Sequence, residues 1–99
     1  MIFDVYEDPG HAWCKVHRSL VETLGIADKI TPYSYQRGEY VYLEEDCDLS
    51  TFATALRATG KTIQFREHHT DKSSKIRSYA RYRNTQDLPF KNGMDYMSN

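Results

Sequence analysis

Asp48-Leu49-Ser50-Thr51-Phe52-Ala53-Thr54-Ala55-Leu56-Arg57-Ala58-Thr59-Gly60, running straight on into Lys61-Thr62-Ile63-Gln64-Phe65-Arg66-Glu67, decides the fold. Leu49, Phe52, Ala53 and Leu56 repeat at helical spacing and predict one apolar stripe along a helix over 49–59. Asp48 is the expected N-cap, because a carboxylate there accepts from free backbone N–H groups and suits the positive end of the helix dipole. Gly60 is the expected stop. Lys61–Glu67 then alternates, with Ile63 and Phe65 on one face, as a half-buried strand does. An amphipathic helix delivering its chain into such a strand predicts mixed α+β architecture.

Upstream, Tyr33–Leu43 reads as a hairpin about Arg37-Gly38, flanked by Tyr33/Tyr35 and Tyr40/Tyr42. Before it, His17, Leu20, Val21 and Leu24 share one face of a short helix over 17–24. Gly25 closes that helix, and Pro32 stops any continuation. Ile2–Glu7 and His11–Val16 flank the turn signal Asp8-Pro9-Gly10 and predict an opening hairpin. Trp13 then shares a face with His11 and Lys15, opposite Ala12, Cys14 and Val16. Downstream, His68–Ser74 reads as a polar loop. Lys75–Tyr82 fits either a helix or a strand. Residues 84–99 read as a C-terminal tail docking through Phe90. The expected fold is one α+β domain over 1–83: a mainly antiparallel sheet of about four to six strands in the order β-β-α-β-β-α-β, with two helices on one face.

The composition agrees with a small folded unit. Of the 99 residues, 19 are Leu, Ile, Val or Phe, and eight Tyr and one Trp extend the apolar area. No apolar run approaches a membrane span, and Met1–Glu7, with Asp4 and Glu7, does not read as a signal peptide. Two cysteines, Cys14 and Cys47, point to reduced thiols in a cytoplasmic, reducing compartment. Their spacing offers no zinc motif. The net charge of −1 hides a partition: residues 1–60 hold 5 Lys/Arg and 10 Asp/Glu, and residues 61–84 hold 7 and 2.

Glu44-Glu45-Asp46-Cys47-Asp48 gathers four carboxylates. It reads as a solvated turn plus a cap, or as an acidic patch offered to a basic partner. Tyr33, Tyr35, Tyr40 and Tyr42 belong to the hairpin core or, exposed, to a protein-recognition surface. Lys61, Arg66, Lys72, Lys75, Arg77, Arg81 and Arg83 are interleaved with His68, His69, Tyr79 and Tyr82. Cations neutralise phosphates and aromatic faces stack on unpaired bases, so this segment is a candidate nucleic-acid surface. The competing reading pairs these arginines with the acidic first part of the chain. Glu7, His11, His68 and His69 form a third constellation, suited to a small-molecule site or a compact hydrolase. No nucleophile elbow, P-loop, dinucleotide fingerprint or zinc-protease motif is present. This leans away from an enzyme, and no catalytic residue, metal ligand or cofactor is expected.

Asp8-Pro9-Gly10-His11-x-Trp13, Leu24-Gly25-Ile26, Tyr33-Ser34-Tyr35-x-x-Gly38, Tyr42-Leu43-Glu44-Glu45-Asp46-Cys47-Asp48 and Ile76-Arg77-Ser78-Tyr79 together resemble a group of small uncharacterised proteins of phages and plasmids. The resemblance covers about residues 4–80 and implies a mobile-element accessory protein, of a kind that binds host or defence components. It carries no catalytic residues. The expectation is therefore a non-enzymatic protein binding a host or defence-system protein. A nucleic-acid-binding protein using residues 61–83 ranks second and the small-molecule reading third, with no membrane partner. The oligomeric state is open, a homodimer included.

Overall fold

The computed structural model describes residues 1–84. Six strands, β1 (Ile2–Glu7), β2 (Ala12–His17), β3 (Tyr35–Arg37), β4 (Tyr40–Glu44), β5 (Gln64–His69) and β6 (Ala80–Arg81), form one sheet in the order β5-β1-β2-β4-β3-β6. Helix α1 (Arg18–Thr23) follows β2, helix α2 (Asp48–Ala58) follows β4, and a 3₁₀ helix (Lys75–Ser78) precedes β6. All pairings are antiparallel except β1 with β5. The fold is thus the expected α+β class. The parallel pair arises because α2 carries the chain back past β2 and β1 before β5 begins.

Alternation assigns the side chains to two faces. Cys14 and Val16 of β2, with Val41 and Leu43 of β4, face Val21 of α1 and Phe52 and Leu56 of α2, forming the larger core. Phe3 packs edge-on to Phe52, with ring centroids 5.2 Å apart. Burial pushes the Cys14 thiol up to about 12. Tyr82 reaches this core and donates its hydroxyl to the Ala27 carbonyl. Trp13, Tyr35 and Tyr42 lie on the opposite face, where Ile76 of the 3₁₀ helix covers them in a second, aromatic core. Tyr35 and Tyr42 are cross-strand partners and each is only 8% exposed. This pair is core rather than recognition surface.

Several local expectations are corrected. Asp48 does not cap α2. It lies inside the first turn, fully buried, and its Oδ2 accepts from the Thr31 N–H and from the hydroxyls of Thr31 and Ser34. The cap position falls to Cys47, which makes no side-chain capping bond. The carboxylate is drawn inward to fasten the 31–34 segment, and its Oδ1 is buried without a hydrogen-bond partner. Glu44 serves the preceding turn, accepting from the N–H groups of Asp46 and Cys47. The second hairpin turns on Gly38-Glu39 rather than Arg37-Gly38, since Arg37 pairs with Tyr40 and Gly38 has φ +58°. His68 and His69 are not a loop: they extend β5, because β1 offers a partner strand through Glu7. Residues 75–82 are neither one helix nor one strand but a 3₁₀ turn followed by the short β6. From residue 85 on, the expected tail and its docking residue Phe90 lie outside the described residues.

Candidate binding face

The sheet face opposite the helices collects the aromatic and basic residues. Register places Asp4 and Tyr6 of β1, Trp13 and Lys15 of β2, Tyr40, Tyr42 and Glu44 of β4, Tyr35 and Arg37 of β3, Arg66 and His68 of β5 and Arg81 of β6 on it. The segment from Thr70 to Tyr79 lies across it. The Thr70 N–H donates to the Glu7 carbonyl, and Ile76 inserts beside Trp13 and Tyr42.

Asp8 holds this segment down. Its side chain is 1% exposed, and Arg77 donates to it twice, at 2.7 Å to Oδ2 and 2.9 Å to Oδ1. The backbone N–H groups of Gly10 and His11 donate to Oδ1, and that of Ser74 to Oδ2. The Arg77 guanidinium, then these amides, hold the Asp8 carboxyl far below the usual carboxylate range against the opposing cost of burial. Arg77 itself is raised by Asp8 and lies 5.2 Å over the Trp13 ring. Sequence reading placed Asp8 in the turn, with Glu7 and His11 as a His/carboxylate group, and did not pair it with Arg77. Its partner is 69 residues away, a separation that no local pattern reveals.

Of the other expected site residues, Arg66 donates at 2.7 Å to Asp4, which also takes the His68 ring at 2.9 Å. Arg66, then His68, lower Asp4 to about 2. His68 stacks on Tyr6 with centroids 4.9 Å apart. His69 points to the other side of β5, between Asp71 and Glu7, and these two carboxylates raise it. The imagined group of Glu7, His11, His68 and His69 is therefore divided: His11 lies 6.0 Å from Trp13, while the other histidines serve separate carboxylates. No group of His, Cys, Asp or Glu among the described residues is arranged to hold a metal. Tyr79 lies 5.1 Å from Tyr42 and under Arg37. Arg81 lies 4.7 Å over the Tyr35 ring and donates to the Pro32 carbonyl. Glu45 stands exposed in the turn after β4.

Two depressions of about 230 Å³ each open on this face, and a wider one of about 560 Å³ beside Arg37, Tyr40 and Tyr79 adjoins the second. The first is walled by Trp13, Tyr33, Tyr35, Glu44, Arg77 and Arg81, the second by Tyr6, Lys15, Tyr42, Lys75 and Tyr79. Sequence reading named Tyr33 among the tyrosines of a recognition surface but missed Trp13 and Lys15 as lining residues. The signal was available in Lys15, which shares Trp13's side of β2 by simple alternation. No family model, curated relative or solved structure matches the chain.

Proposed function

We propose that this chain is a small binding protein of a phage or mobile element, and that the partner held on its open sheet face is single-stranded nucleic acid. One observation carries the reading. Lys15, Arg37, Lys75 and Arg81 gather on or beside that face, and among the described residues none has a carboxylate at ion-pair distance. Lys15, Arg37 and Arg81 lie over the rings of Tyr40, Tyr79 and Tyr35, which keeps them splayed on the surface. Arg66 and Arg77 are already neutralised by Asp4 and Asp8, so the unpaired positive charge of this face sits with Lys15, Arg37, Lys75 and Arg81. Unpaired cations with the exposed rings of Tyr33 and Tyr40 nearby suit an unpaired strand, the cations meeting its phosphates and the rings its bases.

This ordering puts nucleic acid ahead of the host or defence protein that the resemblance implies. Of the side chains that a protein-binding hairpin would offer, Tyr35 and Tyr42 are buried against Ile76. The exposed rings of Tyr33 and Tyr40 favour the protein reading as second.

Binding of a short fluorescent oligothymidylate, followed by anisotropy across a salt series, tests the proposal. Four phosphate contacts give a log–log salt slope of about −3, and Arg81→Ala makes it shallower by about 0.7. No binding at low salt, or a slope indifferent to Arg81→Ala, overturns the reading. Pull-down from host lysate with and without nuclease discriminates the second: a stoichiometric protein that survives nuclease, paired with a failed oligonucleotide assay, moves the function to protein binding.

A further inference from the structure

Resting on the nucleic-acid reading, we infer that the depression between Trp13, Tyr33, Glu44 and Arg81 is a base-reading subsite selective for guanine. Its size comes first. At about 230 Å³ it falls short of the roughly 300–1,000 Å³ of a free small-molecule site. A second depression of the same volume and a wider one of about 560 Å³ follow on the same face. A run of hollows along one cationic face suits successive units of a chain.

The chemistry of the first hollow is uneven in a telling way. Arg81 supplies positive charge, Arg77 being paired with Asp8, yet Glu44, 9% exposed, stands beside them with no cation at ion-pair distance. Besides fastening the turn before α2, this carboxylate repels the phosphates of any strand, so what it offers a strand is directed to the base. Its hydrogen-bond ledger is half filled. Oε2 accepts from the Asp46 N–H at 3.0 Å and Oε1 from the Cys47 N–H at 2.9 Å. A carboxylate has about four acceptor sites, so each oxygen keeps one. The ligand that completes it presents two adjacent donors side by side.

Among unpaired bases only guanine does this, through the N1–H and the 2-amino group of its Watson–Crick edge. Cytosine and adenine present one amino group next to a ring acceptor. Thymine and uracil present one N–H between two carbonyls, which face the carboxylate unfavourably. The 69%-exposed ring of Tyr33 at the rim is free to stack on the base, and the unused guanidinium N–H groups of Arg81 lie where the adjoining phosphate passes.

The test needs only the unmodified protein. A short oligothymidylate is compared with the same strand bearing one central guanine, inosine, adenine or cytosine. Inosine keeps N1–H and lacks the 2-amino group. Guanine is expected to bind about tenfold tighter than thymine, and inosine to lose most of that gain. Guanine no tighter than inosine, or than thymine, overturns the inference while leaving strand binding in place. Failure of every strand to bind at low salt removes the underlying reading and the inference with it. Glu44→Gln, which keeps an acceptor on only one side, brings guanine and inosine level. Should that variant fold poorly by Trp13 fluorescence, the comparison of strands on the unmodified protein still decides.

Discussion

Replacing Asp8 by alanine removes the acceptor for five N–H groups at once: the amides of Gly10, His11 and Ser74 and two donors of Arg77. Hydrogen bonds to a charged group contribute about 1.5–3 kcal/mol each in net terms, but the five do not add. Arg77 is 36% exposed and regains water, and the Gly10 and His11 amides sit in a surface turn. What cannot be replaced is the tie between the first turn and the 70–79 segment, so we expect Asp8→Ala to cost about 3 kcal/mol. Against a typical total of about 5–15 kcal/mol this is a large fraction. Urea unfolding followed by Trp13 fluorescence reads it directly, since Trp13 is the single tryptophan and is buried beneath Arg77. With a slope of roughly 1.5 kcal/mol/M, the midpoint falls by about 2 M. The same residue sets the acid response. A carboxyl whose folded pKa is depressed stabilises the fold above its unfolded pKa of about 3.9 and loses that contribution as pH falls below it. The native protein should therefore weaken steeply between about pH 5 and 2, and the variant less so, retaining the share due to Asp4. A midpoint shift under about 0.5 M, or an unchanged acid slope, refutes the reasoning.

Phe52→Ala, in the larger core against Phe3, should cost about 3–5 kcal/mol by calorimetry or urea titration; a cost below about 1 kcal/mol means that α2 does not pack on the sheet as described. Gly38→Ala places a side chain at φ +58° where nothing crowds it, so only the backbone penalty of about 1–2 kcal/mol remains. The same loss of stability at Gly10, where a Cβ would meet the Arg77 guanidinium at 2.8 Å, would come from contact instead. A thiol reagent should label one cysteine, Cys47, in the native protein and two after denaturation; rapid labelling of both in native buffer contradicts the burial of Cys14.

Elements with a strong local period were legible in the sequence. The stripe Leu49, Phe52, Ala53 and Leu56 placed α2 within a residue of its observed span, and the turn at Asp8-Pro9-Gly10 placed the first hairpin. Where reading failed, long-range partners decided. The polar pair His68-His69 has no inward face to extend the strand expected to end at Glu67; it does so because β1 presents an unpaired edge through Glu7. Asp48 looks like a cap to any local rule, yet the hydroxyls of Thr31 and Ser34 draw its carboxylate inward. The site divides the same way. Arg77 and Arg81 were legible as a basic pair, whereas the facts that Asp8 neutralises one of them and that Tyr33 and Glu44 wall the other side follow only from the fold.

The two charged parts of the chain explain why a net charge of −1 is compatible with a cationic face. Had the acidic first 60 residues simply neutralised the basic segment, the arginines would all be paired. Among the described residues Asp4 and Asp8 reach across to its arginines and take only Arg66 and Arg77, while Glu7 meets His69. Of the other acidic residues, Glu44 and Asp48 are committed to backbone and hydroxyl donors, and Glu39 to His17. Lys15 and Arg37, from the acidic part, meanwhile join Lys75 and Arg81 beside the sheet's aromatic side. The fold thus commits Asp4, Asp8, Glu44 and Asp48 to turns and anchors and leaves four cations of the sheet face without a carboxylate partner among the described residues. Reversing one of those cations therefore tests function apart from folding: Arg81→Glu touches no carboxylate anchor, so it should cut strand affinity more than Arg81→Ala while moving the unfolding midpoint little.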